Sequence, residues 1–159
     1  MIFTIGHSNH PIEKFIDILK INNIDAVIDV RSNPISAYSP QFNRMELMKN
    51  LKMNDIKYFF MGNTLGGRPE DTSVLNSLNK IELEIIETKS WYNDAISKLI
   101  EFSKKNNIAV MCSEEDPQKC HRGYIISHTL LGKNQSVIHI RGNSLQQKAK
   151  FFERQGLLF

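Results

Sequence analysis

The chain has few of the features that would set it apart from ordinary globular proteins. Its 159 residues include two cysteines, five prolines, eight glycines and one tryptophan. No apolar run approaches the roughly 20 residues that span a bilayer, so we predict no membrane segment. The first residues carry neither a basic stretch nor a long apolar core, so no signal peptide is expected. Two cysteines in a chain that needs no disulfide indicate a reducing cytoplasm.

Length and composition predict one globular domain over residues 1–159. A chain of this size buries roughly 68–70% of its unfolded surface, which is enough for a core without covalent staples. Hydrophobic residues make up 41% and charged residues 23%, which excludes a disordered chain.

The net charge of +3 is unevenly distributed along the chain. Residues 118–159 carry seven basic side chains and one acidic side chain, a charge of +6, so residues 1–117 total −3. A basic C-terminal third favours an anionic partner, either a phosphate-bearing small molecule or nucleic acid. The alternative is an ordinary solvated surface, which we favour for Lys148, Lys150 and Arg154 because they lie on a predicted amphipathic helix.

Strand and helix patterns alternate along the chain. Strands are predicted at residues 2–5, 24–30, 56–61, 108–112 and 137–140, and those at 24–30 and 108–112 are expected to be buried. Helices are predicted at residues 11–21, 43–52, 91–106 and 117–132, and a last helix opens at Ser144 with Gln147 as its capping partner. Residues at about 70–90 are hard to interpret and are predicted to form an insertion, either with a helical turn or two or partly mobile.

Two helices have predicted core faces. In the second helix, Met45, Met48 and Leu51 are expected to point inward. In the last helix, the inward residues are Leu145, Ala149 and Phe152.

The alternation of strands and helices predicts a single-domain three-layer α/β/α fold with a mainly parallel sheet of about five strands. Polar clusters follow the strands at residues 6–8, 29–31, 65–69 and 112–122, so they are expected at the carboxyl edge of the sheet, where open α/β folds bind ligands. If the first and fourth strands are neighbours where the strand order reverses, His7 and Cys112 face one crevice.

Residues 108–131 form the centre of the predicted site, because they contain both cysteines at a strand-to-helix junction. A helix N-terminus binds anions and lowers the pKa of a thiol. Cys120 is therefore predicted to be a nucleophile with His121 as its base or acid, or else simply to be buried. Arg122 is predicted to bind an anion, and the alternative is an internal salt bridge to Asp29 or Glu114.

Several other polar residues have two readings. Glu114 is a candidate acid or base, whereas Glu115 is expected to be solvated. His7 either donates to a substrate oxygen or caps a helix, and Asp29 and Arg31 either pair with each other or hold the substrate.

The predicted catalytic residues are His7, Glu114, Cys120 and His121. The predicted substrate-binding residues are Gly6, Ser8, Asp29, Arg31, Gly66, Gly67, Arg68, Cys112 and Arg122. Within the second set, the two adjacent glycines are turn residues or a backbone cradle for an anion, and Cys112 is expected mainly to pack.

Zinc is an alternative for the same region. Cys112, Cys120, His121 and His7 are ligand types suited to zinc. The pattern loosely matches the zinc deaminases but lacks their Cys-x-x-Cys. We therefore predict no metal ligands, leave the cofactor unknown, and keep zinc as a minority possibility.

The polar clusters as a set resemble a known family. They are Gly6-His7-Ser8, Asp29-Val30-Arg31 with Pro34 and Ser36, Leu65-Gly66-Gly67, and Cys112-x-Glu114 with Pro117 and Cys120-His121-Arg122. Over residues 2–141 the chain resembles the domain-of-unknown-function 488 family. The resemblance implies that the clusters belong together, and it carries no activity. Asp29-Val30-Arg31 and the strand ending at Cys112 are also similar in outline to rhodanese, but here the following loop is acidic and longer.

These observations predict a cytoplasmic enzyme that binds an anionic, phosphate-bearing substrate, a nucleotide or nucleic acid, at the carboxyl edge of the sheet. One alternative is a non-catalytic nucleic-acid-binding module that uses the basic C-terminal third. A further alternative is a cysteine-based, rhodanese-like enzyme or a zinc-dependent enzyme. The reaction class and the oligomeric state are left open.

Overall fold

A computed structural model of the protein describes residues 1–152. Its strands are β1 (Ile2–Gly6), β2 (Ala26–Asp29), β3 (Lys57–Phe60), β4 (Ile108–Cys112), β5 (Val137–Ile140) and β6 (Gln146–Lys148). Its α-helices are α1 (Ile12–Ile21), α2 (Arg44–Met53), α3 (Gly62–Leu65), α4 (Leu83–Ile86), α5 (Ser90–Ser103) and α6 (His128–Gly132). A π-helical segment, Arg122–Ser127, leads directly into α6. Short 3₁₀ turns form at Pro40–Phe42, Thr72–Val74 and Pro117–Lys119.

The strands form one sheet in the order β3-β2-β4-β1-β5-β6. The first five pair in parallel, and β6 pairs antiparallel with β5. The prediction of a single-domain, mainly parallel α/β fold is therefore confirmed, with one strand more than expected. The predicted adjacency of the first and fourth strands is also confirmed, since Gly6 of β1 is in register with Cys112 of β4.

Two apolar cores cover the two faces of the sheet. On one face α1 and α2 pack against alternate residues of β1, β2 and β4, with Phe15, Leu19 and Leu47 fully buried. On the other face α4, α5, the π segment and α6 pack against the remaining residues, with Tyr92 and Ile96 as anchors. Each such side chain contributes about 1.5–3 kcal/mol on burial, so the sheet is held firmly from both sides.

The core face of α2 differs from the prediction. Leu51 is buried as predicted and Leu47 is buried beside it, whereas Met45, predicted to point inward, is 74% exposed. The helix does begin beside Asn43, but that side chain accepts a hydrogen bond from the Ser36 amide instead of capping the helix.

The predicted last helix is wrong. Residues 141–148 instead form a hairpin in which β6 pairs with the edge of β5. Ser144 has a left-handed backbone (φ 65°), and the Arg141 amide donates to the Leu145 carbonyl across the turn. Leu145, predicted to be inward, is 66% exposed, whereas Ala149 is buried. The segment pairs with β5 and does not form the capped helix, because the edge of β5 offers unpaired backbone groups. Arg154 lies outside the described residues.

The region at about 70–90 folds back onto the main core. A 3₁₀ turn buries Val74 and the short helix α4 buries Ile86. The predicted helical turns are thus present. Among the helices of residues 1–152, none has the length and apolar character needed to cross a membrane.

Candidate functional site

The topology opens a crevice between β2 and β4. The connection after β2 runs through α2 to β3 on one side, and the connection after β4 runs through the π segment to β5 on the other side. Open α/β folds bind ligands where two such connections diverge. The crevice is therefore displaced by one strand from the predicted position between the first and fourth strands.

The crevice contains a polar cavity of about 330 Å³. It is lined by Arg31, Ser32, Asn33, Gly67, Arg68, Cys112, Ser113, Glu114 and His121. Six of these were predicted site residues, and they come from three separate polar clusters. We call this cavity the site pocket.

The loop after β4 is fixed from below by a glycine. A Cβ atom on Gly6 would lie 1.7 Å from the carbonyl oxygen of Glu114, so only glycine permits this approach. The Ser8 amide donates to the Ser113 carbonyl at 2.8 Å, and Ser8 itself has a left-handed backbone (φ 49°). Gly6 and Ser8 therefore position the loop that carries Glu114.

Arg122 holds the same loop from behind. Its guanidinium is fully buried and donates to the carbonyl oxygens of Glu114 and Glu115, the latter at 2.8 Å. It also donates to Cys112 Sγ at 3.1 Å, and its Nε approaches Thr4 Oγ1. Burial lowers the pKa of Arg122 to about 10. The alternative of an internal partner is realised, but that partner is the loop backbone and not a carboxylate of Asp29 or Glu114.

Asp29 and Arg31 form a buried bidentate pair. Arg31 Nε and Nη2 donate to the two carboxylate oxygens of Asp29 at 2.9 and 2.8 Å. The hydroxyl of Tyr58 donates to Asp29 Oδ2 at 2.6 Å, and both this bond and burial raise the pKa of Tyr58. The pairing alternative is therefore the one observed, and Arg31 reaches the site pocket while its charge is balanced by Asp29.

His7 completes this network behind the pocket. Arg31 Nη1 donates to His7 Nε2 at 3.2 Å, and Nδ1 lies 2.6 Å from the Ser8 carbonyl oxygen. Since a guanidinium only donates and a carbonyl only accepts, the imidazole is neutral with its proton on Nδ1. Burial and the Arg31 charge lower the pKa of His7 to about 4. The ring stacks on Phe42 and does not line the site pocket.

The two cysteines and His121 meet at the floor of the site pocket. The sulfur atoms of Cys112 and Cys120 form a disulfide, so the expectation of two separate thiols is wrong for this structure. A nucleophilic Cys120 requires the reduced thiol, and that role stays a prediction. His121 Nε2 lies 3.2 Å from the Val30 carbonyl oxygen and 3.0 Å from that of Leu65. Burial lowers the pKa of His121.

The glycine pair after α3 allows close packing. A Cβ atom on Gly66 would lie 2.2 Å from Ser32 Oγ, and one on Gly67 would lie 3.1 Å from His121 Nδ1. The Arg68 amide donates to Ser32 Oγ at 2.9 Å. The Arg68 side chain is exposed at the pocket rim, and within residues 1–152 no salt bridge involves it. Close packing against Ser32 and His121 thus accounts for both glycines, and a backbone cradle for an anion stays a prediction.

A family comparison covers most of this architecture. The model of the family described as Domain of unknown function DUF488 matches residues 11–129, which is 119 of 159 residues. The chain belongs to the DUF488 family. The matched range runs from the start of α1 into α6 and contains every residue that lines the site pocket. No curated protein and no solved structure matches this chain.

Some residues of this DUF488 site were not anticipated. Ser32, Asn33 and Ser113 line the pocket, and their positions directly after β2 and β4 were the available signal. His139 accepts from or donates to Thr4 Oγ1 at 2.7 Å behind Arg122, and burial lowers its pKa to about 4. A histidine within an otherwise apolar strand was a visible hint of such a partner.

Glu115 is not the solvated residue that was expected in this DUF488 chain. Its carboxylate takes two hydrogen bonds from Arg141, both 2.9 Å, and one from the Gly142 amide. The Arg141 bonds lower the pKa of Glu115 to about 2. Glu115 therefore ties the loop after β4 to the β5–β6 turn.

Proposed function

We propose that this DUF488 protein is a cytoplasmic enzyme that binds a small anionic, phosphate-bearing substrate in the site pocket. The observation that carries the proposal is that one cation and one carboxylate both line the pocket. Arg68 and Glu114 are both exposed on its lining, and within the described part of the chain neither forms a salt bridge. Among the described residues, this cation and this carboxylate have no ionic partner, so both are available to a ligand and to its protons.

The size and shape of the pocket favour a small substrate. A volume of about 330 Å³ is near the lower end of the range for small-molecule sites. A nucleotide monophosphate or a sugar phosphate fits such a volume, and a longer nucleic acid would contact the pocket through one nucleotide unit.

The residues have distinct roles in this proposal. Arg68 binds the phosphate, because its planar guanidinium matches phosphate oxygens. Glu114 moves the proton, because it lies within the pocket on a loop fixed by Gly6 and Arg122. Arg31 and His7 position the β2 side of the crevice and do not exchange protons with the substrate.

Ligand titration calorimetry tests the proposal. Nucleoside monophosphates, sugar phosphates and inorganic phosphate would be titrated into the wild-type protein and into Arg68→Gln. We expect a ligand of this class to bind, and Arg68→Gln to weaken it by about tenfold or more, the cost of a charge-assisted contact.

The matched control is Arg44→Gln, an exposed arginine that stacks over Phe60 away from the pocket. We expect it to bind the ligand like the wild type, and Glu114→Gln to bind but not turn over. Equal losses in Arg68→Gln and Arg44→Gln, or no binding of any anionic ligand, would rule the proposal out.

The nucleic-acid-binding module remains a second candidate because of one groove. A cavity of about 580 Å³ beside β6 is lined by Lys148, Lys150, Phe151 and other residues, and lysines beside aromatic rings suit single-stranded nucleic acid. One observation opposes this function: Arg122 is buried and Arg141 is paired with Glu115. Two of the seven basic side chains of residues 118–159 are therefore not free to contact nucleic acid. Binding that weakens steeply with salt and depends on Lys148 and Lys150 would favour this module over the enzyme.

A further inference from the structure

We propose that reduced Cys112 and Cys120, together with His121 Nδ1, bind one Zn²⁺ ion at the floor of the site pocket. Their ligand atoms all lie within 4.8 Å of one another. Two thiolates and one imidazole form a three-ligand set that leaves a fourth zinc position open. The proposal goes beyond the proposed function, because metal binding is measured without any substrate.

His121 is oriented as a metal ligand through its other nitrogen. Nε2 faces the carbonyl oxygens of Val30 and Leu65, which only accept hydrogen bonds, so Nε2 carries the proton. The lone pair is then on Nδ1, which lies 3.8 Å from Cys120 Sγ. Backbone carbonyls that fix the tautomer in this way are the usual outer partners of metal-bound histidines.

The surroundings of the sulfur atoms suit thiolates. Arg122 Nη1 donates to Cys112 Sγ at 3.1 Å, and a cationic donor stabilises negative charge on sulfur. The Cα atoms of Cys112 and Cys120 lie 7.5 Å apart. That separation exceeds the roughly 4.4–6.8 Å usual for disulfides, so the backbone positions of the two cysteines do not require their sulfur atoms to be bonded to each other.

The fourth position faces the site pocket. Cys112 and His121 line the pocket, and Glu114 Oε2 lies 3.4 Å from Cys112 Sγ. A water or a substrate oxygen on the ion would therefore lie beside the Glu114 carboxylate, which is placed to accept its proton.

The metal form and the disulfide form exclude each other. A small dithiol reductant supplies two electrons and two protons, so that the Cys112–Cys120 bond breaks, two thiols form, and the reductant ends as its own disulfide. Zn²⁺ then displaces the two thiol protons to solvent and takes the Nδ1 lone pair of neutral His121, which loses no proton. In the reverse direction a small disulfide oxidant takes two electrons from the two thiolates and two protons from solvent, so that it ends as two thiols while the Cys112–Cys120 bond forms and the ion is released.

Cobalt substitution provides the first test. The full-length protein would be reduced with a dithiol, freed of reductant without oxygen, and titrated with Co²⁺. We expect one Co²⁺ per chain, with the thiolate-to-cobalt charge-transfer band and the strong visible bands of tetrahedral cobalt, both removed by stoichiometric Zn²⁺. X-ray absorption of the zinc form should show sulfur at about 2.3 Å and nitrogen at about 2.0–2.1 Å. Absence of these bands from protein with two titratable thiols overturns the proposal.

Variants then identify the ligands. Cys112→Ser, Cys120→Ser and His121→Ala should each weaken Co²⁺ by about 100-fold or more, at or above the effect of losing an outer partner. His128→Ala, on the same helical stretch, should leave binding unchanged. Unchanged affinity and spectrum in His121→Ala overturn the proposed ligand set.

Substitution of Gly67, with Gly132 as its control, offers a milder test that does not remove a ligand. Gly67→Ala places a Cβ atom 3.1 Å from His121 Nδ1, whereas a Cβ atom on Gly132 meets nothing within 4 Å. We expect Gly67→Ala to weaken Co²⁺ by about tenfold and Gly132→Ala to have no effect, and equal affinities would contradict the Nδ1 assignment. We expect Cys120→Ser to lose metal binding and to keep phosphate binding. The failure of one proposal can therefore be told from the failure of the other.

Discussion

Arg122 connects several parts of the site. It is fully buried, and it contacts the two carbonyls of the loop after β4, the sulfur of Cys112 and the hydroxyl of Thr4. A buried guanidinium is tolerated only when its donors are satisfied. Its role in this structure is thus to shape the site pocket from behind, and binding an anion directly stays a prediction.

Arg122→Gln is expected to lower the free energy of unfolding by about 3 kcal/mol, because buried carbonyls lose their charged donor. Urea denaturation followed by circular dichroism measures this. The control Lys133→Gln, at an exposed position, should change stability by no more than about 0.5 kcal/mol. A stable Arg122→Gln protein that only loses ligand affinity would instead support the anion-binding role.

The β5–β6 hairpin is the element that departs most from expectation. Glu115 reaches from the loop after β4 to Arg141 and to the Gly142 amide, so the turn of the hairpin is anchored to the site loop. The two side chains of the ion pair are about one-third exposed, at 31% and 34%. The contact therefore adds modestly to stability and mainly fixes the position of the loop.

Glu115→Ala should free the turn. We expect a loss of only about 1 kcal/mol in global stability, because solvent screens the pair, together with faster hydrogen exchange at Gly142 and in β6. Hydrogen-exchange mass spectrometry of Glu115→Ala and of the exposed control Glu70→Ala provides the comparison. Unaltered exchange in the hairpin of Glu115→Ala would show that the turn holds without this anchor.

Across the whole molecule, buried neutral histidines lie on both sides of the site. Burial lowers the pKa values of His7 and His139 to about 4, with Arg31 and Arg122 as nearby cations that add to the effect. The unfolded chain binds protons at these groups from about pH 6.5 downward. Between about pH 6.5 and pH 4 the unfolded state therefore binds more protons than the folded state, and stability falls as the pH falls.

The melting temperature is expected to drop as the pH is lowered from 7 to 4.5, with each buried histidine contributing on the order of 3 kcal/mol by the bottom of that window. His7→Gln should flatten this pH dependence, because it removes one of the two buried imidazoles. Differential scanning calorimetry at several pH values measures the slope. Parallel pH profiles for the wild type and His7→Gln would contradict the assignment of His7 as neutral.

Glu115 acts at lower pH, because its stabilisation is lost only as the pH falls from about 4.5 toward about 2.

Much of the architecture could be predicted from local patterns. The buried strands β1, β2, β4 and β5 read as apolar runs, and the polar residues that follow them had to lie at one edge of a parallel sheet. For this reason the clusters around Arg31, Gly67 and Cys112 were expected together, and the site pocket does draw on all three. The predictions of an inward Met45 in α2 and of a last helix were wrong. Neighbouring elements, and not helical periodicity, determined the structure at both places.

The amino-acid sequence by itself determined the alternating α/β plan, the edge that carries the polar residues and the ligand chemistry available there. Only the tertiary structure decided the strand order, and with it the crevice between β2 and β4. It also decided that Arg122 and His7 face inward and that Cys112, Cys120 and His121 converge on one point. The physical reason is that side-chain periodicity records which face of an element is buried, whereas long-range packing chooses the neighbour that covers it.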